Sequence, residues 1–271
     1  MEKKYKLTEE TINVCGRTLH RIEALKDFGD VKKGDKGGFI ENENNLSQSG
    51  DCWVYDNVMV YGNANVYGDA KVYYNAEVCG NAKIYDNAEV FGKAMVYDNA
   101  KIHNHASVCG DARVYGSAEV YGDAMVYGDA VVCDNAIVCE NAVVCGNANI
   151  CDNANICDIV KVYDKAIVRD NAKVCGKTEV FGYATICGDT VITSNSDYIV
   201  FKNWWSSGRY FTWTRSNDMW KVGCFHGTGK ELIEKAYMDS ELSGREYERV
   251  VKYVESILKN NNVEVLCETG V

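Results

Sequence analysis

Apolar and polar positions repeat every six residues from residue 54 to residue 191 without losing phase. This stretch contains 23 consecutive hexads, and the first position is Val or Ile in all of them. The fifth position is Ala in 19 hexads, and the exceptions are Val58, Val160, Thr178 and Thr190. A fixed six-residue period is typical of a parallel β-helix, in which each repeat forms one side of a coil.

Each position of the hexad has its own predicted environment. The first position carries a β-branched side chain that points inward, and the second points outward because side chains alternate along a strand. The third and fourth positions are mostly Gly, Asp or Asn, which form turns and tolerate positive φ. The fifth position returns to the interior at a corner, where there is room for little more than a methyl group.

An aliphatic residue followed four places later by a small residue, as in VYGNAN and VCGNAK, resembles the hexapeptide-repeat family of left-handed parallel β-helices. The resemblance covers 138 residues and implies the left hand of the coil. General topology favours right-handed crossovers and does not supply that hand. Three hexads make one triangular turn in this family, so the 23 hexads predict seven to eight turns.

The residues before the repeat predict a capping element. Residues 1–50 contain strand-like segments, and we expect them to form an N-terminal β cap, built on a hairpin, over the exposed end of the β-helix. The string RIEALKDFGDVKKGDKGGFIENENNLS in this segment is similar to uncharacterised bacterial and phage hexapeptide-repeat proteins, some of which carry a transferase label. Residues 51–196 are the predicted β-helix.

Residues 197–271 predict a small α+β domain. Strand-like segments at 197–203, 209–215 and 219–224 are separated by turn sequences, as in a three-stranded meander. Capping boxes at 228–231 and 243–246 open two predicted helices, and a loose tail is expected from Asn260. The predicted fold class is therefore mainly β, a left-handed parallel β-helix between a β cap and an α+β domain.

Composition narrows the compartment and the class of partner. The net charge of −10 argues against a nucleic-acid backbone or an anionic membrane as the main partner. Nothing at the N-terminus resembles a signal peptide, and the sequence has no apolar run of about 18 residues. Of the 13 cysteines, nine occupy the second position of a hexad, which does not resemble a disulfide framework. We therefore expect reduced thiols and a cytoplasmic location, in the host if the protein is phage-encoded.

The two histidines of the repeat, His103 and His105, are candidates for catalysis. The hexapeptide family is best known for acyltransferases, in which a catalytic His lies between the subunits of a trimer. Here His103 has an outward position and His105 lies at a turn, and no loop interrupts the hexads to form a cleft within one chain. Surface substitution for Tyr and Asn is the simpler interpretation, and no third ligand identifies a metal site around them.

The second positions form three ladders, because every third hexad stacks on the same face. The first ladder contains Tyr67, Tyr85, His103, Tyr121, Cys139, Cys157 and Cys175. The second contains Tyr61, Cys79, Tyr97, Tyr115, Cys133, Cys151, Arg169 and Cys187. The third contains Tyr55, Tyr73, Phe91, Cys109, Tyr127, Cys145, Tyr163 and Phe181. Thiols stacked about 4.8 Å apart could bind soft metals, an aromatic face could be an oligomer interface, or both residue types could simply suit an exposed strand.

Basic and aromatic side chains concentrate in the C-terminal domain of this otherwise acidic chain. The predicted ligand-binding residues are Lys202, Trp204, Trp205, Arg209, Tyr210, Trp213, Arg215, Trp220, Lys221 and His226. Trp and Arg together can stack on a base and hold a phosphate, and they also dominate protein interfaces. The aromatic residues could instead form the core of the domain. Alternation along the strand predicts one face that carries Trp213 beside Arg215.

These observations favour a non-enzymatic binding or scaffold protein. The β-helix would set spacing or form a homotrimer, and the C-terminal surface would bind a small anionic or aromatic ligand, such as a nucleotide-like signal, or a protein. Two alternatives stay open: a hexapeptide acyltransferase with a site between subunits, and a purely structural assembly component. No cofactor and no metal is expected.

Overall fold

The computed structural model describes residues 2–268, and side chains as far as residue 259. The chain forms two compact units, Met1–Asn195 and Ser196–Val271. The first unit is a parallel β-solenoid with an antiparallel cap, and the second is a small α+β unit. No helix in the described part of the chain is long and apolar enough to cross a membrane.

The cap begins with the predicted hairpin. Strands β1 (Tyr5–Val14) and β2 (Arg17–Ala24) pair antiparallel, and Cys15 and Gly16 turn the chain at positive φ. Strand β3 (Lys36–Ile40) pairs antiparallel with β2 on one side. On its other side β3 pairs in parallel with the solenoid, so it joins the cap to the coils.

The solenoid consists of two-residue strands, each built from the sixth position of one hexad and the first position of the next. These are β4 (Trp53–Val54), β5 (Met59–Val60), β6 (Asn65–Val66), β7 (Lys71–Val72), β8 (Glu77–Val78), β9 (Lys83–Ile84), β10 (Glu89–Val90), β11 (Met95–Val96), β12 (Lys101–Ile102), β13 (Ser107–Val108), β14 (Arg113–Val114), β15 (Glu119–Val120), β16 (Met125–Val126), β17 (Val131–Val132), β18 (Ile137–Val138), β19 (Val143–Val144), β20 (Asn149–Ile150), β21 (Asn155–Ile156), β22 (Lys161–Val162), β23 (Ile167–Val168), β24 (Lys173–Val174), β25 (Glu179–Val180), β26 (Thr185–Ile186) and β27 (Val191–Ile192). Every third strand stacks in one sheet, which gives three parallel faces: β5 to β26 continuing from β3, β4 to β25, and β6 to β27.

Backbone hydrogen bonds join each coil to the next at the turns as well as in the strands. The amide of Asn99 donates to the carbonyl of Gly116 at 2.7 Å, and that of Asn135 donates to Asp152 at 2.8 Å. The third position of the hexad takes the left-handed conformation, with φ of 77° at Gly92 and 58° at Asp98. This conformation explains why Gly, Asp and Asn dominate that position.

The interior is filled by the first and fifth positions. Val126 and Ala124 are typical, with no exposed surface. Thr178 and Thr190 replace Ala at the fifth position and are equally buried. Their hydroxyls donate to the carbonyls of Cys175 and Cys187 at 2.8 and 2.6 Å, so that neither is left without a partner.

The solenoid has about nine turns, which is more than the seven to eight that the hexads predicted. Ile40 pairs with Val60, and Leu46 forms a bridge with Val66, so the first coil begins inside residues 1–50. Gly37 and Gly38 conceal this coil because they read as a loop. A Cβ there would lie 2.5 and 2.7 Å from backbone carbonyl oxygens of the next segment, so close packing requires glycine.

The C-terminal unit is a four-stranded antiparallel meander with two helices. Its strands are β28 (Tyr198–Lys202), β29 (Tyr210–Thr214), β30 (Met219–Val222) and β31 (Phe225–Thr228), followed by α1 (Gly229–Asp239) and α2 (Glu241–Glu268). The prediction of three strands missed β31, which is short and runs directly into the N-cap of α1. The capping box that opens α1 is present: Thr228 Oγ1 accepts from the Glu231 amide, and Glu231 Oε2 accepts from the Thr228 amide.

The predicted start and end of the second helix are wrong. Helix α2 begins at Glu241, and its first turn is capped by Ser240, whose Oγ accepts from the Ser243 amide at 3.1 Å. Ser243 therefore lies inside the helix rather than at its N-cap. The backbone continues as helix to Glu268, where a loose tail from Asn260 was expected, and residues 269–271 lie outside the described part of the chain.

The size limit at the fifth position can be tested by overpacking one coil. Replacing Ala124 by Leu should lower the free energy of unfolding by about 1–3 kcal/mol, because the added atoms enter a filled corner. Ala124→Thr is the matched control, since Thr178 and Thr190 already occupy this position with a backbone acceptor in reach. Urea unfolding followed by circular dichroism measures both. Equal losses for the two variants would contradict this account of the corner.

Candidate functional site

The predicted basic and aromatic residues do not form one surface. Trp213 and Trp220 are each only 1% exposed and pair across strands β29 and β30 in the core of the unit. Trp213 Nε1 donates to Asp218 Oδ1 at 2.8 Å. Arg215 lies exposed in the turn after β29, so the expected exposed face with Trp213 beside Arg215 is wrong. Alternation separated the two faces of the strand, but it did not identify which face meets the helices.

The remaining predicted residues occupy several places in the same unit. Trp204 is 73% exposed, whereas Trp205 packs edge-on against Tyr247 at 4.9 Å. Lys202 Nζ lies 5.7 Å from the ring centre of Tyr210. A separate sentence covers the last pair: Lys221 and His226 face each other across β30 and β31.

Arg209, also among the predicted residues, lines a cleft of about 300 Å³. The cleft lies between the loop that joins β28 to β29, the turn between β30 and β31, and one face each of α1 and α2. The side chains on which its chemistry depends are Asn203, Arg209, Phe225, Lys235, Asp239 and Tyr247. Its volume is at the lower end of the range of small-molecule pockets.

Asn203 holds the loop that forms one wall of the cleft. Its Oδ1 accepts from the Ser206 amide at 2.9 Å, and its backbone amide donates to the Arg209 carbonyl at 2.7 Å. Its Nδ2 donates to the hydroxyl of Tyr247 at 3.0 Å, which ties the loop to α2. Asn203 is 3% exposed, so these contacts are protected from water and fix the position of Arg209 at the start of β29.

The other walls follow from helical spacing and from one glycine. Leu232, Lys235, Ala236 and Asp239 share a face of α1 because residues three and four apart are neighbours on a helix. Gly223 has φ of 54° in the β30–β31 turn, and a Cβ there would lie 3.4 Å from a guanidinium nitrogen of Arg209. The turn therefore leaves room for the arginine side chain.

The cleft carries more positive than negative charge. Among the described residues Arg209 and Lys235 form no ion pair, and Asp239 contributes one carboxylate. Lys235 Nζ lies 5.8 Å from the ring centre of Phe225. Burial raises the pKa of Tyr247, so its hydroxyl is protonated at neutral pH. This arrangement can hold a small anion and place a ring beside Phe225.

The two candidate histidines lie in different environments. His103 stacks between Tyr85 and Tyr121, with ring centres 4.6 and 5.1 Å away. Its Nε2 lies 2.9 Å from Glu119 Oε1, and its Nδ1 lies 2.6 Å from Asn104 Oδ1. Neither ring nitrogen is free to take a proton from a substrate. His105 is exposed in the turn, 3.9 Å from Asp123.

The cysteines whose side chains the structure describes are free thiols. Several ladder thiols have a raised pKa, chiefly because of burial. The pKa is raised to about 11 at Cys133, to about 12 at Cys151 and to about 11 at Cys157, and neighbouring carboxylates add to the effect. These thiols are therefore protonated at neutral pH.

Comparison with known proteins supports the solenoid and reaches little further. The family profile described as YdcK Beta solenoid repeat matches residues 118–134. A protein of Escherichia coli (strain K12) named Uncharacterized acetyltransferase YdcK is 50% identical over 38 residues. This match covers 14% of the chain and only 12% of that relative. It makes the repeat similar to that of a β-solenoid protein and leaves the cleft without a counterpart.

The raised thiol pKa values predict slow alkylation. At pH 8 iodoacetamide should modify Cys133 and Cys151 roughly a hundred-fold more slowly than an ordinary exposed thiol, because the thiolate is the reacting species. Their rate should rise as the pH increases from 8 toward 11. Peptide mass spectrometry gives the rate at each site, with the exposed Cys15 and Cys224 as internal references. Equal rates at all four positions would be inconsistent with protonated, shielded ladder thiols.

Proposed function

We propose that this protein is a binding protein whose C-terminal cleft takes a small anionic, ring-containing ligand of the nucleotide class. The observation that carries the proposal is the pair of cations, Arg209 and Lys235, that line one cleft without an ion pair among the described residues. A guanidinium and an ammonium group together suit a phosphate. Phe225 offers the adjacent ring for stacking.

The solenoid would act as a rigid carrier and as the means of self-association. Its ladders leave large side chains exposed, including Tyr127 at 40% and Phe181 at 47%. Exposed apolar patches of this kind mark contacts between proteins, and we propose a homotrimer. The reduced thiols and the similarity of the N-terminal segment to phage and bacterial proteins support a cytoplasmic role, in the host cell if the protein is phage-encoded. Sequestration of a small signal would be non-enzymatic.

Removing either cleft cation should weaken binding of a nucleoside monophosphate. With adenosine monophosphate as the probe, Arg209→Ala and Lys235→Ala should each raise the Kd by about 10- to 100-fold, which corresponds to the loss of a charged hydrogen bond. Isothermal titration calorimetry measures the Kd. Native mass spectrometry of gently purified protein reads the stoichiometry and any retained ligand in the same sample.

Arg215→Ala provides a matched control for the cleft variants. It removes the same charge from the same unit, but Arg215 is exposed and does not line the cleft. Its Kd should change less than two-fold, roughly the scale of a surface substitution. Equal weakening by Arg209→Ala and Arg215→Ala would mean that net charge rather than the cleft binds the anion. Undetectable binding of both adenosine monophosphate and phosphate would remove the proposal.

Acyl transfer is a second candidate, favoured by the similarity of the repeat to a relative named acetyltransferase. The catalytic base would then be His103 or His105, at a site between subunits. We expect the wild-type protein, His103→Ala and His105→Ala to give the same background rate of acetyl transfer from acetyl-coenzyme A to amine acceptors. A rate that exceeds background and falls in His105→Ala would favour the enzyme over the binding protein.

A further inference from the structure

Two clusters in the solenoid repeat the same arrangement of a cysteine, the aspartate that follows it and a cysteine 18 residues later. Cys133, Asp134 and Cys151 form the first, and their ligand atoms all lie within 4.8 Å of one another. Cys157, Asp158 and Cys175 form the second, with the same limit. The two clusters lie on different ladders, so the arrangement arises twice from the register of the coils.

We propose that each cluster is a binding site for a thiophilic divalent cation of the zinc class. Two thiolates and one carboxylate form a donor set that Zn²⁺ accepts, with a fourth position left for water or another ligand. The proposal is independent of the C-terminal cleft, because its residues belong to the solenoid unit.

The spacing of the donor atoms fits this cation. With Zn–S of about 2.3 Å and Zn–O of about 2.1 Å, donor atoms of a tetrahedral site lie roughly 3.6–3.8 Å apart. Cys133 Sγ is 3.3 Å from Asp134 Oδ2, and Cys157 Sγ is 4.0 Å from Asp158 Oδ2. These values lie on either side of the required separation, so small rotamer adjustments suffice.

The coils hold the carboxylate in place from below. The backbone amide of Gly176 donates to Asp158 Oδ2 at 2.7 Å, and that of Asp152 donates to Asp134 Oδ2 at 3.3 Å. Outer contacts of this kind orient metal ligands. Both aspartates are exposed while Cys133 is buried, so a cation could enter from the solvent side and contact the thiols beneath.

The same ladders contain internal contrasts. Arg169 follows Cys151 at the next step of the second ladder, so Cys151 and Asp152 lack a second thiol there. Cys79 and Cys109 occupy ladder positions between aromatic residues in the adjacent coils and have no thiol neighbour. Neither belongs to a cluster, which makes them matched controls for the loss of a ladder thiol.

Cobalt titration tests the proposal directly, because Co²⁺ bound by thiolates gives a charge-transfer absorption that aquo-cobalt lacks. The protein would be reduced, freed of metal with a chelator, and carry serine at positions 15, 224 and 267 to remove thiols outside the solenoid. We expect two equivalents of Co²⁺ per chain, displaced by Zn²⁺. Cys133→Ser/Cys151→Ser and Cys157→Ser/Cys175→Ser should each lose one equivalent, and Cys79→Ser/Cys109→Ser should retain both.

Aspartate variants keep the test informative if the cysteine variants fold poorly. Asp134→Asn and Asp158→Asn leave every thiol in place and should each weaken Co²⁺ binding at one site by about ten-fold or more. Absence of thiolate charge transfer in the parent protein would overturn the proposal. Retention of both equivalents in the two cluster variants, or an equal loss in Cys79→Ser/Cys109→Ser, would also overturn it.

Discussion

Backbone hydrogen bonds between successive coils determine most of what the solenoid can do. The amide of Cys133 donates to the carbonyl of Ile150, and the amide of Asn135 donates to that of Asp152, so strand and turn are both tied to the next coil. Proline cannot donate such a bond, and the chain contains none. The bonds fix a register in which every residue lies against the residue 18 positions later. The side chain at one position therefore meets a predictable neighbour.

This register gives the three ladders their chemistry. In the first ladder Tyr67, Tyr85, His103 and Tyr121 stack with nearly parallel rings, and thiols follow in the later coils. Aromatic side chains cover one another and leave little for solvent or ligand to reach. Thiols are smaller, so the aspartate at the adjoining turn can approach them, as Asp134 approaches Cys133. The change from Tyr to Cys along one ladder thus changes a packed stack into a set of donor atoms.

The sequence was sufficient for the solenoid because its period is enforced by burial at every repeat. It failed where the same physical need was met by different residues. Gly37 and Gly38 resemble a loop although they serve close packing of the first coil. Trp213 and Trp220 resemble a binding surface, but their cross-strand pairing in the core depends on which face the helices cover. Lys235 could not be linked with Arg209 from the sequence, because the turn and helix that bring them to one cleft were not both anticipated.

The slip of two residues before Val54 shows how the ladders depend on counting. Lengthening the solenoid by 18 residues would add one coil and leave every later side chain above its former kind of neighbour. Lengthening it by six would turn all later hexads onto the next face, so that thiols would meet different residues while the core pattern stayed intact. Duplication of whole coils is therefore a route by which such a chain can grow without altering its surface chemistry. Duplication of single hexads would create new surface combinations on an unchanged core.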